Sequence, residues 1–426
     1  MKHKELIEQM TLEEKCGLLS GRDIWSTRPV QRLGVPAIYL SDGPTGMRKQ
    51  MGEGDHLGLN ASLPATCWPT AVTVACTWDP ALGEELGAAL GEEAVAQGVS
   101  VVLGPGLNIQ RSPLCGRNFE YFSEDPILAG KLAAGYIRGI QSRGIAACPK
   151  HFAANSQETL RMASDSVVDE RTFREIYLTN YEIAVKEGKP KFIMSSYNKI
   201  NGTYANEDKT LLTDILRNEW GFDGAVVTDW GGSNDHVEGV RAGSHLEMPG
   251  TAGDSDRQLA AAVKAGVISE EVVDQRVDEL LDVILAVAPK EKADGSFDKE
   301  GHHALAAKVA EEAVVLLKNE GNILPLAAGA KVAVIGDFAA IPRYQGAGSS
   351  LVNPTKLECA LDVLGKMPLE SVGYAQGFTR ADAVDKALTE QAVALAKQAD
   401  AVLLYMGLPE ISETEGLDRE HMRLPN

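Results

Sequence analysis

The chain is 426 residues long, with 44% apolar and 24% charged residues and a formal net charge of −19 at pH 7. That length exceeds one ordinary core and predicts two domains, and the composition excludes a disordered or fibrous protein. The acidic surface excludes nucleic acid and anionic membranes as partners and disfavours phosphorylated ligands, so a neutral small-molecule substrate is expected.

The N-terminus, MKHKELIEQMTLEEK, has no apolar leader segment, and no later stretch approaches a membrane span. Cys16, Cys67, Cys76, Cys115, Cys148 and Cys359 are scattered without a CxxC pair, which reads as buried thiols in a reducing compartment. A cytoplasmic protein is expected, and the sequons at Asn60 and Asn201 are then idle.

From about Val35 to Met248, short apolar β-rich runs alternate with helical patterns. The runs are VTVAC (72–76), VSVVLGP (99–105), IAACPKHF (145–152), KFIMSSYN (191–198), GAVVTDW (224–230) and SHLEMPG (244–250). Residues 79–98 read as a helix that Asp79 caps, with Pro80 at the first helical position. Residues 169–188 read as another, ending on Gly188. This alternation predicts an α/β fold, a parallel sheet closed into a (β/α)8-like TIM barrel. Asn108, Lys150, His151, Tyr197, Asn198, Asp229, Trp230 and Glu247 fall at the C-terminal ends of the runs, the face where such barrels place active sites.

A helix at 267–287 precedes PKEKADGSFDKEG (289–301), a charged, aperiodic linker. A second α/β region follows, with a helix at about 302–320, the strand KVAVIGD (331–337), a Gly/Ser loop at 346–350, a helix at about 380–399 and the strand AVLLYMG (401–407). The expected domains are a barrel over 1–288 and a partial α/β sandwich over 302–426. AVLLYMG should lie inside a sheet, and about three strands do not complete one. A C-terminal chain or continuation is therefore expected to complete this domain, and residues 1–426 alone are expected to be poorly soluble or inactive.

Four segments carry chemistry. In GAVVTDWGG (224–232), Asp229 ends a strand beside an indole that could face a sugar ring; it reads equally well as the cap of the next helix. In CPKHFAANSQE (148–158), Lys150 and His151 end an apolar strand, where a buried charge needs a partner; a lone His151 would more simply be a core histidine. The loop LGPGLNIQRSPLCGRNFEYFSEDP (103–126) carries Arg111, Arg117, Glu120 and Glu124, and by itself reads as salt-bridged surface. LSDGPTGMR (40–48) places Asp42 at a strand end and Arg48 after a turn.

Taken in order, SDGPTGMR, GRNFEYFSEDP, KHFAANSQE, SSYNKING, VVTDWGG, AVVLLKNEGNILPL, GAGSS and ETEGLDR resemble the β-glucosidases of glycoside hydrolase family 3 over nearly the whole chain. The resemblance implies a retaining exo-β-glycosidase, a β-glucosidase first and a β-xylosidase or arabinosidase as the alternative. It makes Asp229 the nucleophile and lines the sugar site with Asp42, Arg48, Arg117, Lys150, His151, Arg161 and Tyr197, with Trp230 beside the ring. It also brings Ser349 and an acid/base glutamate from the second domain: Glu415, with Glu413 the alternative and Glu410 less favoured. The acid should have a raised pKa so that it can donate a proton. Relatives of this type continue past ETEGLDR, so an inactive fragment awaiting a complementary chain is a further reading. The branch acting on N-acetylglucosamine uses a histidine after KHF, and residues 152–170 contain none.

No cofactor or metal is expected, because the adjacent His302 and His303 point apart on a helix. A nucleotide site at KVAVIGD is disfavoured, since the glycines of GAGSS lie too far past the strand. A homo-oligomer is compatible with the sequence.

Overall fold

The computed structural model describes residues 1–52, 54, 60–289, 293–381 and 383–424. Residues 290–292 of the expected linker lie outside the described residues.

Five short parallel strands frame the first domain: β1 (Leu40–Asp42), β2 (Val101–Leu103), β3 (Ala146–Ala147), β4 (Phe192–Ser195) and β5 (Ala225–Thr228). β2 pairs with β1 and β3, and β4 with β5. Single parallel bridges continue the ring from Phe152 to Ser195, from Val227 to Leu246 and from Glu247 to Ser20. Past Ser20 the ring closes through antiparallel bridges, Gly21–Thr27 and Ser26–Tyr39. Alternate strand residues enter two apolar clusters, Val101, Leu103, Met194 and Val227 one of them and Val102, Ile193 and Val226 the other. Both faces are thus covered, as parallel strands require.

The helix Pro80–Ala96 starts as its sequence suggests. Asp79 Oδ1 accepts from the amides of Ala81 (2.8 Å) and Leu82 (3.2 Å).

Three expectations need correction. VTVAC is not a strand; residues Ala71–Ala75 form a short helix that buries Ala71, Val74 and Ala75. A five-residue apolar run has no period to separate strand from helix, and packing decided it. The helix over 169–188 is present but carries wide π turns at Phe173–Leu178 and Ala184–Gly188, and its left-handed cap is Lys189, not Gly188. In the second region the first helix, Lys299–Glu312, stops well short of residue 320, leaving Val314–Leu317 exposed.

The second region holds a parallel sheet with β6 (Lys331–Ile335) between β7 (Glu370–Ala375) and β8 (Ala401–Leu404). AVLLYMG supplies β8, which lies at the edge of this sheet among the described residues, with Val402 and Leu404 exposed.

One buried cluster away from the strand ends sets a pH dependence of stability. His245 Nδ1 accepts from the Val226 amide (3.0 Å), and Nε2 faces Glu279 Oε2 at 2.7 Å. Burial pushes the imidazole down to about 4, with Glu279 opposing the shift, while Glu279 is held at about 2. The unfolded histidine binds its proton near its ordinary value, so this site stabilises the fold above that value. The contribution is lost as pH falls towards 4, and is worth about 3 kcal/mol. His245→Gln is therefore expected to destabilise the protein at pH 7 yet flatten the rise in stability between pH 5 and 7, as measured by urea denaturation.

Candidate active site

β1 and β5 end on acids because their apolar residues fill the core and the next residue emerges at the rim. Asp42 closes β1, and Asp229 follows β5 directly. Asp229 does not cap a helix; the next one begins at His236 and is capped by Asp235. Asp229 Oδ1 instead accepts from the Trp230 amide (2.8 Å). Its Oδ2 is buried and makes no hydrogen bond among the described residues, with His151 Nε2 3.5 Å away.

Around this oxygen lies a cavity of about 490 Å³ lined by Asp42, Arg117, Lys150, His151, Arg161, Tyr197, Asp229, Trp230, Ser349 and Glu415, together with Met162, Met194 and Gly348. Arg48 stands behind this lining, donating to Asp42 Oδ2 (3.1 Å) and the Ser349 carbonyl (3.3 Å). All eleven residues singled out in the sequence therefore gather at one place, ten on the wall and Arg48 supporting it.

The charges are interlocked. Arg117 donates twice to Glu120, at 2.8 and 2.9 Å, and its Nη1 lies 3.6 Å from Glu415. Lys150 Nζ sits 3.6 Å from Asp42 and 3.5 Å from Glu120. Arg161 donates to Glu158 (2.8 Å) and Glu415 (2.9 Å) and covers the ring of Tyr197 at 4.8 Å. Tyr197 donates to the Trp230 carbonyl (2.9 Å), and the Trp230 indole packs on Trp25 with ring centres 5.2 Å apart. His151 is no mere core histidine, and of the four loop charges Arg117 and Glu120 are buried at the site while Arg111 and Glu124 lie exposed on the surface. Burial and the nearby cations hold the His151 imidazole well below its usual value, so it is neutral. Asn108 fixes its tautomer. The Asn108 amide is oriented by the His151 main chain, donating to its carbonyl and accepting from its amide at 2.9 Å each. Its Oδ1 then meets ring Nδ1 at 3.1 Å, so Nδ1 carries the proton and Nε2 turns a lone pair towards Asp229.

The three candidate glutamates separate clearly. Glu415 Oε2 accepts from the Ser349 amide (2.7 Å), and Gly348 packs so closely that a Cβ there would stand 2.4 Å from Glu415 Cβ. Glu413 turns to Arg343 (2.8 Å) and Glu410 to Arg380 (3.2 Å), and neither lines the cavity. The expected raised acidity constant of Glu415 needs correction. Burial would raise it, but Arg117, Arg161 and the Ser349 amide hold it far below the usual carboxylate range. Burial raises Asp229, and Arg161 and Arg117 only partly offset that. The surroundings thus push the two acids in opposite directions, Asp229 towards its protonated form and Glu415 towards its ionised form.

Residue-by-residue reading places Asn108 only at the strand-end face and Glu120 only in a charged loop, and it does not single out Glu158. Glu120 and Glu158 each stand three residues from an arginine they bind, Arg117 and Arg161, a spacing that signals such pairs. His302 and His303 reach different carboxylates, Glu93 and Glu358.

Asp229 at the barrel rim thus faces Glu415 on a second-domain loop across one cavity. The chain belongs to glycosyl hydrolase family 3: residues 14–283 match its N-terminal domain and residues 314–426 its C-terminal domain. It is 49% identical to thermostable β-glucosidase B of Acetivibrio thermocellus over 99% of this chain and 56% of that protein. It is 43% identical to an exo-α-(1→6)-L-arabinopyranosidase of Bifidobacterium longum, covering 98% of this chain and 56% of the relative. The crystal structure of a family 3 β-glucosidase from Bifidobacterium adolescentis superimposes with a TM-score of 0.92 at 43% identity, over 98% of this chain and 60% of the other. β-Glucosidase 3B of Thermotoga neapolitana, solved with glucose, gives 0.88 at 35% identity over 99% and 64%. The chain thus spans about half the length of the curated relatives it matches, 56% in these two.

Proposed function

We propose that this chain carries the active site of a retaining exo-β-glycosidase that removes terminal non-reducing β-D-glucosyl residues. The observation that carries this reading is the unpartnered Asp229 Oδ2 facing the same cavity as Glu415. Asp229 attacks the anomeric carbon as the bond to the aglycone oxygen breaks, and Glu415 gives that oxygen a proton. Glu415 then takes a proton from water, which attacks the same carbon and frees Asp229.

The charge count supports a neutral substrate. Five carboxyls (Asp42, Glu120, Glu158, Asp229, Glu415) meet four cations (Arg48, Arg117, Lys150, Arg161), so one proton on the acid pair leaves the site uncharged. Sugar hydroxyls are both donors and acceptors and suit such a ring. Arg117 Nη1 makes no hydrogen bond among the described residues and can donate; the Nε2 lone pair of His151 can accept. The similarity to β-glucosidases supports glucose; the arabinopyranosidase relatives make arabinopyranose the second reading. Comparing kcat/KM of the full natural polypeptide on 4-nitrophenyl β-glucoside, β-xyloside and α-L-arabinopyranoside tests this. Preference for either pentose would overturn the glucosidase assignment.

Glu415 can act as the acid only if substrate weakens its hold on arginine. Arg161→Met removes one of the two guanidiniums, so the Glu415 pKa is expected to rise. The alkaline limb of kcat/KM against pH should then move to higher pH even as the maximum falls, because the protonated acid persists further. An unmoved or lowered limb would contradict the role given to Arg161.

Two further proposals accompany this one. Additional polypeptide covers the second-domain sheet, supported by the exposed Tyr374, Val402 and Leu404 and by the chain's partial span of its relatives. A cytoplasmic location is supported by the six unpaired cysteines.

A further inference from the structure

The hairpin that presents Glu415 has few apolar anchors of its own. Thr414 bridges Ala347 on one side and Leu417 on the other, and Gly416 makes the turn with φ +85. Ile411 and Leu417 are exposed, so burial of apolar surface does not hold the segment in place. What fixes it to the barrel is polar and reciprocal.

From the hairpin side, the Asp418 carboxylate accepts three barrel amides: Gly116 (3.1 Å), Glu158 (3.0 and 3.1 Å) and Thr159 (2.8 Å). From the barrel side, the Glu158 carboxylate accepts the Gly416 amide (2.7 Å) and the Arg161 guanidinium (2.8 Å). The Arg419 amide adds a bond to the Leu114 carbonyl (2.7 Å). Contact is so close that a Cβ on Gly116 would lie 1.7 Å from the Leu417 carbonyl oxygen.

We infer that Glu158 and Asp418 form a two-carboxylate clasp that positions Glu415 over the sugar site, so both are positioning residues for the acid/base step. This rests on the glycosidase reading above. The two residues flank Glu415 in its contacts: Gly416 is its neighbour, and Arg161 binds Glu158 and Glu415 through the same nitrogen. The clasp also ties proton transfer to domain closure. Asp418 is on the second domain and the amides it binds are on the barrel, so Glu415 reaches its station only when the two are docked.

The test uses Asp418→Ala, Asp418→Asn and Glu158→Gln in the full natural polypeptide. Hydrogen exchange reads docking, and aryl β-glucosides of graded leaving-group ability read catalysis. Asp418→Ala should lose protection at Gly116, Glu158, Thr159 and Gly416. Its kcat should fall roughly 10²-fold on phenyl β-glucoside but less than about 10-fold on the 2,4-dinitrophenyl glucoside, which needs little protonation. Asp418→Asn, which keeps one acceptor oxygen, should lie between Ala and wild type. Glu158→Gln should show the same leaving-group bias with smaller exchange changes. Equal losses on all leaving groups, or unchanged exchange at these amides, would overturn the clasp. If the wild type hydrolysed no aryl β-glucoside, the glycosidase reading and the catalytic half of the proposal would fall together. The docking half would still be decided by exchange.

Discussion

Asp229→Asn is expected to lower kcat on every aryl β-glucoside by on the order of 10⁴-fold or more, because the residue is required for bond formation whatever the leaving group. Asparagine is nearly isosteric and its side-chain oxygen can keep the bond from the Trp230 amide, so the strand end should hold its shape. It cannot carry a glycosyl ester. The substitution also removes a carboxyl whose ionised form burial disfavours, so thermal stability should be unchanged or slightly raised. Steady-state kinetics with a melting curve on the same preparation checks this. A variant retaining activity within about 10-fold of wild type would remove Asp229 from the chemistry.

Removal of Glu415 should give the opposite pattern, an effect that depends on the leaving group. Glu415→Ala is expected to cost about 10²–10⁴-fold on glucosides with poor leaving groups and much less in forming the intermediate from activated ones. Azide should restore turnover of activated substrates as a glucosyl azide, since an anion can attack without a general base. The truncation also leaves Arg161 and Arg117 without their shared carboxylate, which favours anion entry. Glu413→Ala should be far milder, its partner being Arg343 outside the cavity. Azide rescue of Glu413→Ala and not of Glu415→Ala would move the assignment by two residues.

Much of this site could be read from residues because strand ends are points of fixed direction. An apolar run that stops on Asp42, or on Thr228 before Asp229, must place the next polar side chain at the rim, and a helix opening on Asp79-Pro80 must start there. Loops carry no such constraint. Glu413 and Glu415 stand two residues apart in a segment without periodicity, and only the packing of Gly348 and the clasp on Gly416 turns one inward. The same limit applies to VTVAC, which is too short for a period. The acidity of Glu415 was misjudged for a different reason. Its two arginines come from residues 117 and 161, far away in sequence, and their field acts only once the domains meet.

The most direct measurement is mechanism-based trapping. The full natural polypeptide is incubated with 2,4-dinitrophenyl 2-deoxy-2-fluoro-β-D-glucoside, whose fluorine slows both steps while the leaving group keeps the first one fast. The account expects a burst of one phenolate per active site, loss of activity, and a fluoroglucosyl adduct on Asp229 in the peptide spanning Gly224–Gly232. An adduct on any other residue, or continued turnover with no adduct at all, would contradict it.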